Sequence, residues 1–114
     1  YYNLNKQYFG EDMVIDEEIG LEWARIPHFY YNYYVYQYAT GKSAATALSK
    51  QILAEGQTAV NRYINHFLKA GCSDFPIEVL KAAGVNMESS QPIEEACKVF
   101  EEKLNELEKL LLNN

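Results

Sequence analysis

The chain has 114 residues, 48% of them hydrophobic and 14% aromatic, which is enough apolar side chain to close a core in a single helical domain spanning 1–114 and too much for a disordered segment. Its formal net charge of −6 argues against the clustered Lys and Arg that phosphate neutralisation needs, so no nucleic-acid partner is expected. No apolar run approaches the roughly 20 residues that span a bilayer, and the opening YYNLNKQ has no signal-peptide core, so the expectation is no membrane partner and a cytoplasmic location. Cys72 and Cys97 fit no metal or redox spacing and read as free thiols, small buried or half-buried residues. Tyr1 stands where a helix reads as already under way, and a fragment of a longer protein is the expectation.

Tyr1, Leu4 and Tyr8 fall at helical spacing, and Gly10 is placed to close that helix. After a loop to Ile15, Asp16 is placed to cap a second helix, with Glu17 and Glu18 against its positive dipole end and Ile19, Trp23 and Ile26 on one face. Pro27 disfavours helical backbone at Ile26, so this helix stops or bends just before His28.

Between Phe29 and Tyr38, seven of ten residues are aromatic and six are tyrosines. Strict strand alternation fails in this run, and the alanine-rich ATGKSAATALSKQILAEG that follows is helical in character. The pattern predicts one long helix from about Phe29 to Glu55, with Ala45, Leu48 and Ile52 on its inner face, Gly41 in its middle and Gly56 as its terminator. Ala59–Ala70 reads as an amphipathic helix with Val60, Tyr63, Ile64, Phe67 and Leu68 inward, ended by Gly71. In SDFPIEVLKAAG, Ser73 or Asp74 caps a short helix, Pro76 enters its first turn and Gly84 stops it. Pro92, Glu94 and Glu95 start the last helix, whose inner row runs Ile93, Ala96 and Cys97, Phe100, Leu104, Leu107 and Leu111. The expected fold is all-α, with five to six helices and no strand.

On a helix, Tyr33 and Tyr36 share a face, and their hydroxyls can converge on one point. Two phenolic donors with His28 nearby form an electrophilic clamp for a carbonyl oxygen that gains negative charge during acyl attack. Tyr30, Tyr31, Tyr34 and Tyr38 read as packing residues, and an all-core reading of the whole stripe stands beside the clamp. His66 has no partner in its local sequence and is assigned no role. Neither histidine opens an H-E-x-x-H motif, no Cys/His cluster has metal-ligand spacing, and no phosphate-binding loop or G-x-S-x-G elbow occurs.

The runs W-A-R-I-P-H-F-Y (Trp23 to Tyr30), Y-V-Y-Q-Y-A-T-G (Tyr34 to Gly41), AGCSDFPIEVLKAAGVNM (Ala70 to Met87) and PIEEACKVFEEKLNELEKLL (Pro92 to Leu111) closely resemble the C-terminal part of the oligoendopeptidase F group. That group belongs to the zinc metallopeptidase family that also contains thimet oligopeptidase. The resemblance implies a helical portion of a larger two-lobed peptidase that hydrolyses internal bonds of short peptides. It further implies a zinc cofactor in the intact enzyme, held by a motif absent from this chain, with none bound by the fragment. The partners implied are an oligopeptide substrate and the remainder of the peptidase chain. In the family a histidine and two tyrosines three apart contact substrate and the carbonyl oxyanion, and His28, Tyr33 and Tyr36 are the matching positions. The histidine stands closer to the tyrosine pair here than in the thimet-oligopeptidase branch. A fragment lacking the zinc motif is expected to be inactive alone. The competing expectation is a non-catalytic helical module that binds a peptide or partner helix in an aromatic groove.

Overall fold

The computed structural model describes residues 1–112, and its regular structure is entirely helical, with no strand among the described residues. It contains five α-helices: α1 (Tyr2–Phe9), α2 (Gln37–Glu55), α3 (Gln57–Tyr63), α4 (Pro76–Ala82) and α5 (Gln91–Leu112). Two 3-10 segments, Glu17–Arg25 and Pro27–Tyr30, lie between α1 and α2, and a π-helical turn, Ile64–Leu68, continues α3. The chain falls into two compact units, Tyr1–Gln37 and Tyr38–Asn114, which are described separately.

In the first unit, Gly10 closes α1 at φ 78, and its N–H donates to the Lys6 carbonyl at 3.0 Å. Asp16 stands at the cap position before Glu17, but the segment that follows winds as a 3-10 helix, with the Ile19 N–H on the Asp16 carbonyl at 3.2 Å. Ile26 leaves the helix at φ −87, ψ 108, the extended conformation that a following proline imposes. Pro27 then opens the second 3-10 turn, where its missing N–H costs nothing.

The single helix expected from Phe29 to Glu55 is not formed: α2 begins only at Gln37. Tyr31 is extended at φ −98, ψ 118, and Tyr33 is left-handed at φ 58, the one positive φ outside glycine among the described residues. Aromatic side chains lose rotamer freedom on a helix, whereas the alanine-rich sequence after Gln37 does not, so helix begins where the aromatic run ends.

The second unit closes a small core of Ala44, Ala47, Leu48, Ala83 and Val85, with Tyr63, Phe67, Leu80 and Met87 packed against it. The buried face of α2 is Ser43, Ala44, Ala47 and Leu48, so Ala45, expected inward, is exposed. Gly56 (φ 64) ends α2, and α3 starts at the next residue. The Lys69 N–H reaches back five residues to the Ile64 carbonyl at 3.0 Å, and this π turn leaves Leu68, expected inward, 58% exposed.

A Schellman turn ends α4. The Val85 N–H donates to the Leu80 carbonyl at 2.9 Å and the Gly84 N–H to Lys81 at 3.0 Å, with Gly84 at φ 100. Arg62 and Gln51 clamp this turn from the side: Arg62 Nε donates to the Ala83 carbonyl at 3.1 Å and Gln51 Nε2 to the Gly84 carbonyl at 2.7 Å. The guanidinium also donates to Gln51 Oε1 at 2.9 Å and to the Glu55 carboxylate at 3.0 Å. That hydrogen bond holds the Glu55 carboxyl below its ordinary range and the Arg62 guanidinium above its own.

Two further expectations fail. The row Ile93, Cys97, Phe100, Leu104, Leu107 and Leu111 on α5 is exposed, Phe100 to 72%, while Pro92 at the helix start is buried. Cys72 and Cys97 are free thiols, as expected, but both are exposed rather than buried.

Candidate functional site

The tyrosine run of the first unit is a pair of consecutive turns between the Pro27–Tyr30 segment and α2. The Tyr34 N–H donates to the Tyr31 carbonyl at 3.3 Å and the Gln37 N–H to the Tyr34 carbonyl at 3.1 Å. Tyr33 occupies the third position of the first turn, where its left-handed backbone is costly for a side chain with a Cβ, on the order of 1–2 kcal/mol. Such strain concentrates at functional positions.

Tyr33 and Tyr36 therefore do not share a helix face, because the backbone that would align them is not helical. The turns nevertheless bring His28, Tyr33 and Tyr36 to the lining of one open hollow of about 460 Å³, together with Tyr31 and Tyr34. Tyr33 is 85% exposed and Tyr36 is 59% exposed, whereas His28 and Tyr34 are half-buried. The Tyr34 ring lies tilted at 5.2 Å from the His28 ring and meets Tyr31 edge-on at 5.9 Å, the offset geometries that aromatic quadrupoles favour.

Tyr30 takes a part the spacing does not announce. Its hydroxyl donates to the Ala24 carbonyl at 2.7 Å, tying the turn that carries His28 to the preceding 3-10 helix across the break at Pro27. Residues six apart do not share a helix face, and the bond spans a break between two helical turns, so no sequence signal marks the pair. The second unit holds a larger hollow, about 700 Å³, lined mostly by apolar side chains including Ala44, Leu48, Ile52, Tyr63, Phe67 and Leu80.

The arrangement can present phenolic donors and an imidazole to a polar group entering the hollow. Among the described residues there is no group of three His, Cys, Asp or Glu that could hold a metal ion. His66 is exposed on the π turn. No helix of the described residues is long and apolar enough to cross a membrane.

Peptidase family M3 is the family whose sequence profile matches, over residues 1–99. The chain belongs to peptidase family M3. It is 73% identical over 112 residues to the oligopeptidase PepF of Bacillus subtilis, covering 98% of this chain and 17% of that protein. It is 50% identical to the chromosomal oligoendopeptidase F of Lactococcus lactis subsp. cremoris, covering 97% of this chain and 18% of the relative. The crystal structure of oligoendopeptidase-F from Enterococcus faecium superposes on the whole chain with a TM-score of 0.89 at 53% identity, covering 22% of that chain. The chain thus spans under a fifth of the length of these curated M3 relatives, and its likeness lies with the oligoendopeptidase F members.

Proposed function

We propose that the chain is the C-terminal helical part of a zinc-dependent oligoendopeptidase that cleaves internal bonds of short peptides. In this reading it supplies substrate and oxyanion contacts from His28, Tyr33 and Tyr36. The observation that carries the reading is the convergence of these three residues on one hollow in a chain of family M3. Zinc, proposed as the cofactor of the intact enzyme, is held by sequence outside this chain, where its chemistry is to activate water and polarise a carbonyl.

Within the chain, the Tyr36 and Tyr33 hydroxyls donate to the scissile carbonyl oxygen as it becomes an oxyanion, and His28 hydrogen-bonds a neighbouring substrate carbonyl. Donors fixed before reaction stabilise the developing charge without reorganising. Neither tyrosine attacks or transfers a proton, so removal of one hydroxyl weakens the transition state and leaves metal binding untouched. The oligopeptide substrate and the rest of the peptidase chain are the partners, cytoplasmic residence belongs to the same proposal, and the 114 residues alone are inactive.

The test is Tyr36→Phe in the full-length enzyme, assayed on a quenched fluorescent oligopeptide. A kcat lower by about 10²–10³ with unchanged zinc content is expected, the usual size for one lost oxyanion donor. A kcat within about a factor of two of wild type refutes the assignment. Tyr33→Phe acts in the same direction, on kcat or on KM.

A further inference from the structure

The apolar positions of α5 recur at alternating spacings of four and three: Ile93, Cys97, Phe100, Leu104, Leu107 and Leu111. From Cys97 to Leu111 this is the 3.5-residue period of a helix that packs along another helix at a shallow angle. A surface helix serving only its own core shows a broader stripe and buries it, whereas every residue of this seam is exposed, Leu104 to 53%. One flank of the seam is a row of carboxylates, Glu94, Glu101 and Glu108, each immediately following a seam residue.

We propose that this seam is the seat of a helix from the part of the peptidase chain outside these 114 residues, and that the seated helix carries Lys or Arg opposite the Glu94, Glu101 and Glu108 row. The seat depends on the chain being part of a longer M3 protein, not on any role of the tyrosines.

Three observations choose this occupant. The solved oligoendopeptidase-F matches α5 together with the rest of this chain inside a polypeptide more than four times as long, so ample sequence is available to cover the seam. A second copy is the poorer occupant. In an antiparallel pair the glutamate rows face each other, and in a parallel pair only Lys103 stands opposite a glutamate, Glu108, while its ammonium already donates to Glu106 at 2.7 Å. A membrane surface is poorer still, because α5 carries six glutamates against three lysines and anionic headgroups repel it.

The test uses the full-length protein. A photoreactive phenylalanine analogue is incorporated at position 107, and the cross-linked peptides are sequenced by mass spectrometry. Separately, the alkylation rate of Cys97 in the unaltered protein is compared with its rate in urea. The expected result is a cross-link within one chain to a helical segment bearing Lys or Arg, with Cys97 alkylated at least about tenfold more slowly than when unfolded. A cross-link joining two copies, a cross-link to a segment without basic residues, or a Cys97 rate close to the unfolded one each overturns the proposal. The alkylation arm needs no substitution, so a variant that fails to fold does not shield the idea. Loss of activity in Tyr36→Phe has no bearing on it, which keeps the seam and the tyrosine clamp separately refutable.

Discussion

Replacing Gly84 by alanine tests whether the clamp on the α4 turn holds the second unit together. Gly84 lies at φ 100, and a Cβ there meets Gln51 Oε1 at 2.8 Å and Arg62 Nε at 2.9 Å. Both side chains are pinned by hydrogen bonds to the turn itself, so neither can withdraw without releasing the Ala83 or Gly84 carbonyl. The left-handed backbone costs roughly 1–2 kcal/mol for a residue with a Cβ, and forcing a methyl into the occupied space adds about 1–3 kcal/mol. Gly71→Ala is the control, since φ is 54 there and nothing lies within 4 Å of the added carbon, so only the backbone cost applies. The assay is native-state hydrogen exchange of the full-length protein, read on peptides covering Val79–Val85 and the region around Gly71. Exchange in the α4 turn of Gly84→Ala should accelerate more than that around Gly71 in Gly71→Ala, by a further factor of about 10–100. Equal acceleration in the two variants refutes the reasoning, because it removes the steric part and with it the clamp.

Tyr33→Asn keeps a residue tolerant of left-handed backbone and removes a ring that is 85% exposed, so thermal stability should stay level or rise by up to about 1 kcal/mol while kcat falls. A variant that loses stability and activity together contradicts the strained-turn account. Tyr30→Phe deletes the bond to the Ala24 carbonyl, and faster hydrogen exchange across Ala24–Tyr30, equivalent to about 0.5–1.5 kcal/mol, is the expected readout. The Glu55 carboxyl is depressed by its hydrogen bond to Arg62, so the stability it contributes is full above the unfolded value of 4.5 and is lost as pH falls through the lower folded value. Acid titration followed by exchange in the Ala83–Val85 turn should show this loss, and Glu55→Gln should abolish its pH dependence while leaving the turn at neutral pH in the less protected state that the unaltered protein reaches in acid.

Much of the helical layout was legible because local chemistry decides it. Gly10, Gly56, Gly71 and Gly84 all adopt positive φ where the pattern calls for a helix to end, and Pro27 breaks the chain before His28 by excluding helical backbone at Ile26. The amphipathic rows were harder to interpret. The seam of α5 is apolar at the expected positions, yet it is exposed, because periodicity states which face seeks a partner and not whether the partner lies within the same 114 residues. On α2, Leu48 is buried as expected but Ala44 is buried in place of Ala45, since alanine on adjacent positions gives period no preference between them.

The candidate site divides in the same way. The sequence by itself determined that a dense tyrosine run with a histidine in front of it follows a proline break, and that these residues match an M3 segment. It could not determine the backbone that presents them, because a run aromatic on every face has no period to read. The tertiary structure decided that this backbone is a pair of turns, with Tyr33 left-handed, Tyr34 laid against His28 and Tyr30 tied to Ala24. Those choices come from ring packing and a hydroxyl bond between residues six apart, interactions that exist only once the chain has turned at Pro27 and again at Tyr33.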